Sequence, residues 1–276
     1  MVKYALALWN WIFRAGLAIA LVGAAWTLWP APGAHAYASA NRFNRSYYHH
    51  GPRVAIDLGH FNDSPADSRF LALADLLNWD GYRANRSKQY LVPEYLKDIP
   101  VLVIGNPRPY PFRLAGTTAF APEEITAVRD WVQAGGSLLL EATIPRSARA
   151  AAPLAEALGF AFRECPSPVF VPQVQLTRNR AETVAALVNG WIEAPSTNLQ
   201  AAPLLVTPPD AATCAAGKPL ALAFEFGRGR VVGLSAQLER DEALIRRTGI
   251  DPRNAGNRQF LLDTMHWLSR AEEQPQ

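Results

Sequence analysis

Three polar side chains, Asp57, His60 and Asn62, follow directly after the apolar run Val54-Ala-Ile. A carboxylate beside an imidazole can carry out general acid–base catalysis, and the same groups can bind a divalent metal. These residue types also have a structural use, because Asp and Asn after a strand bind backbone amides in turns. The spacing therefore predicts either the mouth of a ligand site or the polar end of a buried strand.

Similar polar groups follow the other predicted strands. In an open α/β sheet, ligands bind beyond the carboxyl ends of the strands. We therefore expect these groups to lie along one rim, with Asp57, Glu141 and Asn257 sharing a crevice. The candidate ligand-binding residues are Asp57, His60, Asn62, Asn106, Glu141, Gln237, Arg240 and Asn257.

The segments that would position these residues alternate between strand and helix patterns. Short apolar runs at 53–59, 99–105 and 137–143 predict buried strands. Helical patterns follow each run, and Pro122 and Gly159 suit the start of one helix and the end of another. This order predicts an α/β fold in which a mostly parallel sheet has helices on both faces.

The rest of the predicted domain, residues 53–270, departs from this alternation in one place. Residues 161–217 are rich in proline and predict an irregular insertion or an elaboration at the sheet edge, with a weak helix at 181–192. Beyond them, two apolar runs meet at Gly227-Arg-Gly, which predicts a hairpin, and a helix closes the domain. Residues 271–276 form a short tail.

The first 36 residues resemble an export signal. Lys3 and Arg14 precede an uncharged stretch at 15–29, and small residues around Ala36 suit a cleavage site. Residues 4–29 contain Arg14 as their only charged residue, and they are long enough for an uncleaved membrane anchor. Both alternatives place the domain on the periplasmic side of a bacterial envelope, because the positively charged Lys3 and Arg14 are expected to stay on the cytoplasmic side. Residues 37–52 are polar and unpatterned, which is typical of a linker.

Composition argues against several classes of function. The positively charged residues behind the net charge of +3 are scattered along the sequence, so the sequence predicts no surface that binds nucleic acid. No glycine-rich phosphate loop is present, so we expect no nucleotide cofactor. The two cysteines, Cys165 and Cys214, lack metal-binding spacing and a nucleophile elbow. We expect no metal, and the sequence leaves open whether the cysteines pair.

Several segments together resemble a known family. They are VAIDLGHFN, VLVIGNP, FAPEEITAVRDWVQAGGSLLLEA, GRGRVVGLSAQ and NAGNRQFLLDTMHWLS. This set resembles bacterial envelope proteins of unknown function that carry a class I glutamine amidotransferase-like domain, over residues 53–160 and 219–270. The resemblance implies a flavodoxin-like sheet without the amidotransferase Cys–His–Glu machinery. It also implies polar positions at Asp57, His60, Asn62, Glu141 and Asn257.

Three hypotheses about function follow. The leading one is a non-catalytic domain on the periplasmic side of the envelope, which binds a protein partner or a small ligand at the rim. The second is a hydrolase of an envelope glycan or peptide that uses Asp57, His60 and Glu141, with or without a metal. The third is an accessory subunit of an envelope transport complex, attached to the membrane through the N-terminal helix if that helix is not cleaved.

Overall fold

The described part of the chain forms a nine-stranded sheet flanked by helices. The computed structural model describes residues 51–62, 69–109, 118–176, 183–194, 200–236 and 255–271. The strands are β1 (Arg53–Asp57), β2 (Arg83–Ser87), β3 (Val101–Gly105), β4 (Ser137–Glu141), β5 (Ala161–Leu176), β6 (Thr183–Glu193), β7 (Ala202–Val206), β8 (Pro219–Phe226) and β9 (Gly229–Leu234). The helices of the described residues are α1 (Arg69–Trp79), α2 (Pro93–Leu96), α3 (Pro122–Gln133), α4 (Pro145–Ala157) and α5 (Ala255–Leu268).

The strand order is β2-β1-β3-β4-β9-β8-β7-β5-β6. The first five strands of this order are parallel, and the remaining four continue the sheet in antiparallel pairs. Every position of β3 and β4 is buried, as expected for parallel strands covered on both faces. The predicted α/β fold with a mostly parallel central sheet is therefore confirmed.

The helices α3 and α4 pack on one face of the parallel strands. Val128 and Val132 of α3 and Leu154 of α4 are fully buried and belong to the same core cluster as Leu138 and Leu140 of β4. Each such side chain contributes roughly 1.5–3 kcal/mol on burial. This core fixes the start of α3 against the ends of the parallel strands, where the candidate residues lie.

Residues 161–206 extend the same sheet through β5, β6 and β7. The helix predicted at 181–192 is wrong, because Thr183–Glu193 is strand β6. Its buried residues Val184, Ala186, Val188 and Ile192 recur with a period of two, which is the period of a strand. The alanines of this segment suggested a helix, but the pairing of β6 with β5 determines the structure.

A disulfide joins Cys165 of β5 to Cys214, which lies in the loop before β8. The two Cα atoms are 5.8 Å apart, within the ordinary range for a disulfide. The pairing that the sequence left open is therefore present in the structure.

The described residues contain no helix that is long and apolar enough to cross a membrane. The predicted signal or anchor at 1–36 and most of the predicted linker at 37–52 lie outside the described residues.

Candidate functional site

The candidate residues surround the point where the strand order reverses direction. The chain moves from β1 outward to β2, and from β3 in the opposite direction to β4. The loops that leave β1 and β3 therefore diverge, which opens a crevice at the carboxyl ends of these strands. Such a crevice is the usual ligand site of a doubly wound sheet.

His60 lies at this crevice between two carboxylates. Its Nδ1 is 2.9 Å from Oδ2 of Asp57, and its Nε2 is 3.1 Å from Oε1 of Glu124. All three side chains are buried, and the His60 ring also packs on Phe120 with centroids 4.6 Å apart. Asp57 in turn accepts the backbone N–H of Gly59 at 2.9 Å, which holds the turn after β1. The three side chains form a buried carboxylate–imidazole–carboxylate cluster.

The cluster requires a protonated imidazole. An ionised carboxylate only accepts hydrogen bonds, so each ring nitrogen of His60 must donate one. Burial on its own lowers the pKa of His60, but the hydrogen bonds to Asp57 and Glu124 and their negative charges outweigh burial and raise it from 6.5 to about 9. His60 is therefore an imidazolium at neutral pH, with both of its protons committed.

Glu124 reaches the cluster from the first turn of α3. Burial raises the pKa of its carboxyl, but the hydrogen bond from His60 and those from two backbone N–H groups lower it from 4.5 to about 2. Those N–H groups belong to Ala121 at 3.0 Å and Leu91 at 3.1 Å. Glu124 thus ties three chain segments together, namely the loop after β1, the loop after β2 and the start of α3.

Glu124 is a member of the site that the sequence did not predict. The Glu123-Glu124 pair suits the positive end of a helix, and this ordinary use explained both residues. A signal was nevertheless present, because Glu124, Ala127 and Val128 are spaced as one helix face and all three are buried. A carboxylate on the apolar face of a helix needs a buried partner, and His60 is that partner.

A second polar network lies at the ends of β3 and β4. The side-chain amide of Asn106 donates to Oε1 of Glu141 at 3.0 Å, and its oxygen accepts from both N and Oγ1 of Thr143 at 2.9 and 3.0 Å. Asn62 connects the two networks, because its amide donates to the carbonyl of Gly105 at 2.6 Å. This network holds the ends of the strands together from within.

The eight predicted residues thus fall into separate groups. Asp57 ends β1 and lies together with His60 and Asn62 of the following loop, and Asn106 and Glu141 form the second network. Asn257 is fully buried at the start of α5, and among the described residues its amide has no hydrogen-bond partner. Gln237 and Arg240 lie outside the described residues. Glu141 and Asn257 have no exposed surface, so neither presents a side chain to solvent.

A cleft of about 310 Å³ opens above His60. It is formed by residues 59–61 after β1, residues 88–90 after β2, and Thr118, Ala119, Ala121 and Glu124 at the start of α3. Of the eight predicted residues, His60 alone lines the described part of this cleft. Asp57 and Asn62 hydrogen-bond to His60 rather than lining the cleft, and Asn106 belongs to the network at the ends of β3 and β4.

This arrangement limits the chemistry that the site can perform. His60 offers no free lone pair to act as a base or to bind a metal, because both nitrogens donate to carboxylates. Among the described residues, no group of three His, Cys, Asp or Glu side chains is placed to hold a metal ion. Both cysteines are used in the disulfide. The geometry is suited to holding a cleft in shape.

Comparison with known proteins supports the fold. No protein-family model matches the chain, and no curated protein matches it. Among solved structures, the mmIFT52 N-terminal domain is similar at 13% identity with a TM-score of 0.59, covering 78% of this chain and 97% of that one. The cytoplasmic protein STM3548 from Salmonella typhimurium is similar at 12% identity with a TM-score of 0.51, covering 79% and 99%.

A GMP synthase-like protein from Thermoplasma acidophilum also matches, at 11% identity, with a TM-score of 0.48 and coverage of 82% of this chain and 100% of that one. At such identities a likeness reports the fold alone. The match to the two structures with higher TM-scores extends over nearly the whole length of those solved chains.

Proposed function

We propose that the chain is a non-catalytic binding domain of glutamine amidotransferase-like fold that works on the periplasmic side of a bacterial envelope. The observation that carries the proposal is the double engagement of His60. An acid–base residue has to exchange a proton with substrate, whereas both protons of His60 are held by buried carboxylates. The cleft above His60 is the binding surface, and the cluster beneath it keeps the cleft in shape.

The remaining candidate groups support binding rather than turnover. Glu141 is fully buried, and Asn106 holds it in a network. The turn after β4 reads Ala142-Thr143-Ile144-Pro145, so it carries no serine or cysteine at the place where an acyl-transfer nucleophile would stand. An amidotransferase reaction needs such a nucleophile, and this chain uses its two cysteines elsewhere.

The disulfide supports the proposed location. Structural disulfides persist in oxidising compartments such as the bacterial periplasm and are rare in the cytosol. The bond between Cys165 and Cys214 and the charge pattern of residues 1–36 therefore support the same side of the membrane. Residues 1–36 serve in this proposal as a cleaved signal or as an anchor, and residues 37–52 connect them to the domain. Sequencing the N-terminus of the mature protein separates these two forms.

The hydrolase hypothesis provides the critical test. The full-length protein is incubated with envelope glycans and peptides, and product formation is followed by mass spectrometry for wild type and for Glu141→Gln. We expect no turnover by either protein, together with ligand binding that a bulky substitution in the cleft, Ala119→Trp, removes. Turnover that Glu141→Gln abolishes would show that the chain is an enzyme, and binding unaffected by Ala119→Trp would exclude the cleft.

A further inference from the structure

Two aromatic side chains stand exposed at the edge of the cleft above His60. Tyr90 is 74% exposed and Phe61 is 43% exposed, and both line the cleft. Large aromatic side chains usually bury most of their surface. Two exposed rings on a polar cleft therefore provide an apolar contact surface that a ligand can cover.

The backbone at Phe61 is held in an unfavourable conformation. Its φ is +48°, in the left-handed region that bulky residues rarely adopt. Hydrogen bonds on both sides maintain it, since the N–H of Arg108 donates to the carbonyl of His60 at 2.8 Å and Asn62 donates to Gly105. Strain kept at an exposed aromatic residue beside a cleft points to a role in binding.

Among the described residues, the ionised groups in and beneath the cleft compensate one another. Asp57 and Glu124 carry two negative charges, the His60 imidazolium carries one positive charge, and Lys88 at the cleft edge carries another. A charged ligand would therefore gain no net attraction from these four groups. Gln89, which also lines the cleft, offers a neutral amide that both donates and accepts. The hydroxyl proton of Thr118 is bonded to backbone carbonyls, so Thr118 offers its remaining lone pair as an acceptor.

We propose that the cleft binds a neutral sugar ring, which stacks its C–H face on Tyr90 and Phe61 and directs its hydroxyl groups to Gln89, Thr118 and Lys88. A pyranose has one apolar face and an equatorial belt of hydroxyls, which matches exposed rings beside neutral donors and acceptors. The cleft volume of about 310 Å³ lies at the lower end of the range for small-ligand sites, roughly 300–1,000 Å³. This inference rests on the proposed function and specifies its ligand.

The test measures sugar binding by the full-length protein in a detergent that has no sugar headgroup. The probes are N-acetylglucosamine, chitobiose, cellobiose and maltose at millimolar concentration. Binding is measured by calorimetry and by changes in the chemical shifts of the sugar protons. We expect at least one probe to bind, Tyr90→Ala to weaken binding at least tenfold, and Tyr90→Phe to retain it. Phe170→Ala serves as the matched control, because Phe170 is 50% exposed on β5 and does not line the cleft.

The outcomes separate this inference from the proposal that it extends. The inference is overturned if no probe binds, or if Phe170→Ala weakens binding as much as Tyr90→Ala does. Binding of a charged or peptide ligand that Tyr90→Ala and Ala119→Trp both abolish would reject the sugar and keep the proposed binding function. Turnover of a bound probe would reject the non-catalytic function while keeping the sugar as ligand.

Discussion

At the scale of single residues, the cluster around His60 makes stability depend on pH in two directions. The pKa of His60 is raised from 6.5 to about 9, so its contribution to stability is fully present below pH 6.5 and is lost as pH rises through 9. The pKa of Glu124 is lowered from 4.5 to about 2, so its contribution is present above pH 4.5 and is lost as pH falls through 2. Together these groups stabilise the fold most between pH 4.5 and 6.5.

We therefore expect the free energy of unfolding to fall by on the order of 3 kcal/mol between pH 6.5 and pH 9, measured by urea denaturation. Glu124→Gln is the matched variant, because its amide oxygen can still accept from His60 and Leu91 but carries no charge. Its NH2 group cannot accept from the N–H of Ala121, and that loss does not depend on pH over this range. The decrease for the variant over the same pH range should be clearly smaller. Identical pH profiles for the two proteins would mean that His60 is not held as an imidazolium by Glu124.

Asn106 provides a second test at this scale. Its φ is +44°, which Asn tolerates better than most residues, and its amide donates to the buried Glu141. Asn106→Asp keeps the shape but sets two carboxyl groups about 3.0 Å apart, so the pKa of one must rise. We expect the variant to lose roughly 2–4 kcal/mol of stability at pH 7 and less at pH 4. Equal losses in denaturation at both pH values would contradict this account.

The sequence predicted part of this chemistry and missed part for a physical reason. Asp57 and His60 are three positions apart, so a turn after β1 was enough to bring them together. Glu124 lies 64 positions beyond His60, and only the packing of α3 on the sheet places it against Nε2. Local spacing predicts a pair of this kind, whereas the third member of the cluster depends on tertiary contacts.

At the scale of elements, the hairpin between β8 and β9 explains the Gly227-Arg-Gly229 signal. A Cβ added at Gly229 would lie 2.1 Å from the carbonyl oxygen of Val132 and 2.2 Å from that of Gly136. The hairpin therefore touches the end of α3 directly through its backbone. This contact fixes the end of α3 that is opposite to Glu124.

We expect Gly229→Ala to cost about 3 kcal/mol or more in thermal or urea unfolding, because neither carbonyl is free to move. Gly217→Ala is the control. Gly217 has a φ of +68°, but its nearest neighbour, the Cα of Pro209, is 3.9 Å from an added Cβ. This change should cost only the conformational strain, roughly 1–2 kcal/mol. If Gly229→Ala loses no more stability than Gly217→Ala does, the backbone contact at Gly229 is refuted.

The elements that sequence predicted best are the buried parallel strands. β1, β3 and β4 have apolar runs that need no partner to be identified. β2 was missed, because the polar sequence Arg83-Ala-Asn-Arg-Ser87 belongs to an edge strand and three of its five residues are exposed. β6 was interpreted as a helix, and its strand character comes from pairing with β5.

At the scale of the whole molecule, the sheet combines two halves of different character. The parallel half provides the crevice, and the antiparallel half continues from β9 through β8. The sequence predicted both strands of the β8–β9 hairpin, and for residues 161–217 it left open an irregular insertion or an elaboration at the sheet edge. The structure joins β5, β6 and β7 to the same sheet, at its edge. That joining depends on long-range pairing of proline-rich strands, which have little local signal. The disulfide adds a covalent link between this half and the loop before β8.

The disulfide therefore allows a test of both stability and location. It closes a loop across 49 positions, and the chain-entropy estimate for such a loop is about 4 kcal/mol. We expect the Cys165→Ser/Cys214→Ser double variant to lose up to that amount of unfolding free energy, measured by urea denaturation. In the presence of a reducing agent, the wild-type protein should unfold at the same urea concentration as the variant. In intact cells, alkylation of free thiols should leave the full-length protein unlabelled.

The same chain without residues 1–36 should be labelled at Cys214, which is exposed, because a cytosolic disulfide is kept reduced. The control is the double variant, which has no thiol and must stay unlabelled in either compartment. Labelling of the full-length chain would place the domain in the cytosol and contradict the proposed periplasmic location. Cys214 is exposed and is open to the reagent whenever the bond is reduced. Protection of both forms would therefore show that the disulfide persists in the cytosol as well, and the bond would no longer support a periplasmic location.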